Sequence, residues 1–312
     1  MGDRNPIHQV QFAPRNQRTH ATPLVLIHDG GGTTFAYFTL ETLRRNVWAI
    51  HNPRYSSGKA WDGGMDEMAR HYIGLMKKAG ITGSIIIGGW SLGGYVALVI
   101  ARMLAADTWS TIKVTGLLLI DSPYLLPGCK LPPGVPPPDL AGIPDLVLIS
   151  LANCEAMLET WELPTWDKAA FEGRDVRFTA RGRSFNIAPG NVVYKPLEGD
   201  WKTVAVKAQQ IQDDNRIHQG SFGSPQLPPA VMLRSVDRAP VKGADSGKPC
   251  RVDMFRDEPL LGWDTRYPSF IKAVMEARSH HYDMFNGKNI KQVTAQINEA
   301  LEILGTIGAV GT

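Results

Sequence analysis

Short apolar runs and longer amphipathic stretches alternate along the first 121 residues. Pro23-Leu24-Val25-Leu26-Ile27-His28 and Asn46-Val47-Trp48-Ala49-Ile50-His51 are continuous runs of strand length, as expected of strands covered on both faces. Gln9-Val10-Gln11-Phe12-Ala13 instead alternates polar and apolar residues before Pro14, the pattern of an edge strand. Met65, Met68, Ala69, Tyr72, Ile73 and Met76 recur at helical spacing and Gly80 supplies a stop, which predicts a helix with its methionine stripe on the core. Two more strands are predicted at Ser84-Ile85-Ile86-Ile87 and at residues 114–120, the second ending at Asp121, with a helix over 95–104 between them. This alternation predicts a doubly wound α/β fold with a mostly parallel central sheet.

The pattern then breaks. From Ser122 to about Pro144 the chain is dense in proline and glycine, which sheet interiors do not tolerate. Residues 146–158 read as a helix, and Trp161, Trp166 and Trp201 follow in irregular sequence. Strand patterns return at residues 230–235 and 272–276, and a last helix is predicted near 290–304. The expected organisation is a core formed by 1–121 and 227–312. Residues 122–226 form an insertion over the sheet edge, a lid or substrate chamber between the Asp121 strand and the late core strands.

Between the strand at 84–87 and the helix at 95–104 lies Gly89-Trp90-Ser91-Leu92-Gly93-Gly94. Gly-x-Ser-x-Gly in that strand–turn–helix context is a nucleophile elbow, a strained turn that projects the serine Oγ from the sheet. The triad order of this architecture is serine, acid, histidine. Asp121 and Asp237 both lie at the ends of later core strands, the edge where reactive groups of open α/β sheets gather. His280 and His281 alone follow the late strand and precede the last helix. His281 is the better base, since Tyr282-Asp283-Met284-Phe285 reads as a turn packed beneath it. Oxyanion donors are expected from the Leu92 N–H and from the glycine run after His28, with Gly30 first and Gly31 second. That run lacks the Gly-Lys-Ser/Thr of a phosphate loop, and no metal-ligand spacing occurs.

Composition narrows the setting. At 43% hydrophobic and 20% charged residues the chain has the balance of a soluble globular enzyme. A net charge of +3, with no basic stripe interleaved with aromatics, gives no reason to expect nucleic acid. Cys129, Cys154 and Cys250 are odd in number and far apart, as expected in a reduced compartment. With a polar N-terminus and no run of membrane-spanning length, the expectation is a cytoplasmic protein without a membrane partner.

Four segments in order, LVLIHDGGGTTFAYFTL, GGWSLGG, GLLLIDSPYLLPGCKLPPG and SHHYDMF, resemble the α/β-hydrolase thioesterases that end polyketide, nonribosomal-peptide and fatty-acid synthesis. The Gly-Trp-Ser-x-Gly-Gly elbow and the strand ending Ile-Asp-Ser-Pro are most similar to fungal polyketide synthase thioesterases. The resemblance gives the acid's role to Asp121, about thirty residues past the serine, and the histidine's role to His281. The chain departs from the family's Gly-x-His-aromatic-x-Met run by carrying Ser279 and an added His280. The likeness implies a serine thioesterase that needs no cofactor. Its substrate is an acyl chain, expected to be polyketide, on the phosphopantetheine arm of an acyl carrier protein or polyketide synthase acting in trans. A carboxylesterase or lipase on small esters, and a noncatalytic binding protein of this fold, are the alternatives. A carrier is acidic, so the stretch 168–207, with eight Lys or Arg against four acids, is expected to be either a docking face for it or a solvated face of the lid.

Overall fold

In the computed structural model, which describes residues 5–14, 21–206, 225–243 and 247–310, the apolar runs form one nine-stranded sheet. In chain order the elements begin with β1 (Ile7–Gln11), β2 (Leu24–Ile27), α1 (Phe35–Phe38), β3 (Val47–Ile50) and α2 (Gly64–Lys78). They continue with β4 (Gly83–Trp90), α3 (Leu92–Ala106), β5 (Ile112–Ile120) and α4 (Asp145–Thr160). Next come the short strands β6 (Lys168–Ala169), β7 (Val176–Ala180), β8 (Arg183–Ile187), β9 (Asn191–Lys195), β10 (Lys202–Ala205) and β11 (Gln226–Leu227). β12 (Ala230–Ser235), β13 (Ile271–Ala277), α5 (Ile290–Thr306) and β14 (Gly308–Ala309) complete the chain.

The main sheet runs β1-β3-β2-β4-β5-β12-β13-β9-β10, parallel throughout except for its two outer strands, β1 and β10. This is the α/β-hydrolase arrangement, and it explains the continuous apolar runs. β2, β12 and most of β4 and β5 are buried because α2 and α3 cover one face and α5 the other. The Met65, Met68 and Met76 stripe of α2 packs into that core.

One expectation needs correction. Residues 122–226 are not a single insertion outside the sheet, because β9 and β10 extend it beyond β13. Val192, Val193 and Tyr194 are buried there, a strand signal only five residues long between Pro189-Gly190 and Pro196. β7 and β8 form a hairpin whose turn, Arg181-Gly182, has both residues at positive φ, as a two-residue type I′ turn requires. β7 packs against α5 and pairs with β14. Part of the stretch 168–207 therefore belongs to the body of the protein, and residue 207 lies outside the described residues.

Candidate active site

Four glycines let the β4–α3 junction sit tightly against its neighbours. A Cβ on Gly89 would stand 2.4 Å from the Ile27 carbonyl oxygen, and one on Gly93 2.5 Å from the same atom. On Gly88 it would meet the Leu118 carbonyl, and on Gly94 the Ser122 hydroxyl. The turn between them holds Ser91 at φ 54° and ψ −116°, a conformation L-residues rarely adopt, worth roughly 1–3 kcal/mol of local strain. Hydrogen bonds offset it: the Ser91 N–H donates to the Ile120 carbonyl at 2.9 Å, and the Ser122 hydroxyl to the Ser91 carbonyl at 2.7 Å.

The three residues singled out at the strand ends meet here. His281 Nε2 lies 2.9 Å from Ser91 Oγ, and His281 Nδ1 lies 2.8 Å from Asp121 Oδ2. A carboxylate only accepts, so Nδ1 carries the proton and Nε2 faces the serine hydroxyl as an acceptor. The imidazole is buried between the rings of Trp90 and Tyr282, with centroids at 5.9 and 4.9 Å. His280 turns away: its Nδ1 accepts the Tyr282 N–H and its Nε2 points to Asp283. Ser279 is buried with its hydroxyl 3.0 Å from that of Ser235. Asp237, the rival acid, is exposed, whereas Asp121 is fully buried.

The Asp121 carboxylate has more partners than its position in the sequence suggests. Its Oδ1 accepts the Ser235 N–H at 2.8 Å, and both oxygens accept from Arg256, at 2.6 and 2.9 Å. Burial alone would push its pKa up, but the Arg256 charge and the His281 contact outweigh that and hold it well below the usual carboxylate range. Arg256 and its second partner, Asp253, were not among the residues read from the sequence. Asp253 closes a short 3₁₀ turn, Arg251–Asp253, and Arg256 follows it, between β12 and β13, where no periodicity or motif marks them.

The glycine run after β2 faces the elbow. His28 is pinned beneath it: Nδ1–H donates to the Asp29 carbonyl at 2.5 Å, and Nε2 accepts the Tyr72 hydroxyl at 2.6 Å. Burial lowers its pKa to about 4, so the ring stays neutral and fixes the loop. The Leu92 N–H opens α3 beside Ser91, where the helix dipole favours negative charge. Gly30 lies under α4, whose Ser150 hydroxyl donates to its carbonyl at 3.0 Å. The space bounded by His28, Gly30, Leu92, Ser150, Cys154 and Met157 is only about 20 Å³, room for about one water. Burial pushes the Cys154 thiol up to about 12, so it remains protonated and offers no competing nucleophile.

Asp29 is the one acid in the loop. Burial pushes its pKa up to about 6, against the pull of His281 and of the Gly31 and Gly32 N–H groups. A carboxyl raised in this way binds its proton more tightly in the folded state than unfolded. Its contribution to stability therefore improves as pH falls through 6 toward 4 and is least favourable above 6. Asp29→Asn is expected to melt above the wild type at about pH 7.5, with the difference shrinking at about pH 4.5. Thermal melts at the two pH values check this, and a difference independent of pH would contradict it.

Among the described residues no group of three or more His, Cys, Asp or Glu is arranged to hold a metal, and no helix is long and apolar enough to cross a membrane.

A family model described as a thioesterase domain matches residues 22–125, the part of the chain that holds β2, the elbow and Asp121. Over 98% of both chains the protein is 52% identical to a probable thioesterase, lcsE, of Purpureocillium lilacinum. It is 47% identical to a probable thioesterase, KK1J, of Curvularia clavata, over 93% of this chain and 92% of that one. Among solved structures it is similar in fold to the NocB thioesterase domain from the nocardicin cluster, with a TM-score of 0.55, 18% identity and coverage of 95% and 98%. Its relatives include free-standing chains and a nonribosomal peptide synthetase, of which the match covers 8%.

Proposed function

Because this chain belongs to the thioesterase family, we propose that it releases an acyl chain from a carrier-bound thioester through an acyl-Ser91 intermediate, in the biosynthesis of a natural product. The single observation that carries the reading is the contact series Ser91 Oγ, His281, Asp121 at the elbow. His281 Nε2 takes the Ser91 proton as Oγ bonds to the thioester carbonyl carbon. Asp121 keeps the imidazole in the required tautomer and stabilises the imidazolium. The oxyanion is held by the N–H groups of Leu92 and Gly30. The C–S bond then breaks and the thiol leaves with the proton from His281. Water, deprotonated by His281, or a nucleophile of the acyl chain itself, resolves the ester and returns Oγ to its hydroxyl. A polyketide chain and an acyl carrier protein fit the family's character. The same acyl group offered on a carrier phosphopantetheine and as a small oxoester tests this. The carrier thioester is expected to have the larger kcat/KM by at least about tenfold. Fast oxoester turnover with negligible carrier activity would make the protein an esterase.

We propose that α4, which lies over Gly30, lifts to admit the acyl chain to Ser91. Ser150 donates to the Gly30 carbonyl and Asn153 to the Gly58 carbonyl, each at 3.0 Å, and Arg251 donates to the Leu158 carbonyl of the helix at 3.3 Å. Its buried face holds Ser150, Cys154 and Leu158, while Leu146, Leu148 and Ile149 stand exposed, the reverse of a helix made only to pack. We read α4 as the mobile part of a lid. Two such bonds are worth about 2 kcal/mol together, so the Ser150→Ala/Asn153→Ala variant should speed labelling of Ser91 by a long-chain fluorophosphonate on the order of tenfold. A methyl fluorophosphonate should gain less, and an equal or absent gain with both probes would contradict the lid.

A further inference from the structure

Arg256 is fully buried and all five of its N–H donors are used. Nε donates to Asp253 Oδ1 at 2.9 Å, Nη1 to Asp121 Oδ1 and the Ser235 carbonyl, and Nη2 to Asp121 Oδ2 and the Val252 carbonyl. The acceptors of Asp121 are equally committed, two hydrogen bonds on each oxygen, one of them from His281. Asp253 is buried in turn, its Oδ2 accepting the Ala239 N–H at 2.7 Å. We propose that Arg256, held by Asp253, is a positioning residue that fixes the Asp121 carboxylate in the plane from which Oδ2 meets His281. This rests on the reading above that Ser91, Asp121 and His281 carry the chemistry.

The geometry gives the fork two effects that oppose each other. It removes the rotation by which a carboxylate at a strand end, with φ at 43°, would lose the imidazole. It also draws charge from the oxygen that faces His281, which weakens the attraction felt by the imidazolium. Asp253 restores part of that charge: two carboxylates and one guanidinium leave the cluster at −1, which a protonated His281 brings to zero. The other titratable groups facing His281 are Asp29 from the loop after β2 and Tyr282 beside the ring. A guanidinium that only tied the 251–256 turn to the sheet would affect stability alone.

The test measures kcat and KM against pH with a soluble acyl thioester for three variants of the full chain. Arg256→Gln loses charge and fork. Its kcat is expected to fall about ten- to hundredfold with KM within about threefold, and the acid limb of kcat/KM to move up by about one pH unit. Arg256→Lys keeps the charge without the planar fork, so kcat stays depressed while the limb returns to its wild-type position. Asp253→Asn leaves the fork but removes a negative charge, and its limb should move down. If the Gln variant fails to fold, the other two decide. Wild-type kcat in Arg256→Lys, or a limb in Asp253→Asn that stays or moves up, overturns the proposal. Ser91→Ala separates the two readings. Turnover surviving in Ser91→Ala sinks the reading of the site itself. Its loss there, with unchanged kcat and pH profiles in the Arg256 and Asp253 variants, sinks the positioning role alone.

Discussion

Ser91→Ala is expected to lower thioester turnover by on the order of 10⁶-fold while leaving the melting temperature near the wild-type value. Removing the serine of a Ser-His-Asp set costs about as much as removing the whole set, because no other group supplies the covalent route. The stability expectation comes from the surroundings of the residue. Ser91 is half-buried, its backbone bonds to Ile120 and Ser122 do not involve the side chain, and alanine removes only an oxygen. The strained φ of 54° is common to both residues, so the elbow keeps its shape. Steady-state turnover and thermal melts check this together. A loss below about a hundredfold would require another nucleophile.

Asp121→Asn is expected to cost on the order of 10⁴-fold in kcat. Arg256 and the Ser235 N–H both donate to Oδ1, so an asparagine must place its carbonyl oxygen there and its NH₂ toward His281. That amide donates to Nδ1 and forces the proton onto Nε2, where it blocks acceptance from Ser91. The substitution also leaves Arg256 buried with one ionised partner in place of two. An uncompensated buried charge costs about 3–5 kcal/mol, and Asp253 reduces that figure. Loss of Tm should thus accompany loss of rate. Asp237→Asn, at an exposed position, should change the rate by less than about tenfold. The opposite ranking would move the acid to the end of β12.

Much of this was legible in the sequence, for reasons that are local. The apolar runs at β2 and at residues 117–120 of β5 are buried on both faces, so each reads as a strand without knowledge of its partners. The elbow depends on glycines required by close backbone approach, so their spacing is visible in the chain itself. Ser91, Asp121 and His281 sit at or just past strand ends, which the strand patterns locate. What failed to show was contact between distant segments. Arg256 stands 135 residues from Asp121 in a stretch without periodicity, and only the fold brings them together. The apparent basic face at 168–207 is another case. Lys195 and Arg181 both pair with Glu299, an acid from outside the stretch. Charges counted along the chain therefore overstate the free positive surface.

The account turns on a covalent acyl-Ser91 intermediate, and intact-mass analysis of the protein mixed with an acyl-loaded carrier protein tests it most directly. A transient species heavier than the chain by one acyl group, localised to the peptide containing Ser91 and absent from Ser91→Ala, is the predicted result. Release of the acyl chain at the full rate by the Ser91→Ala protein, or an acyl adduct that persists in it, would contradict the account.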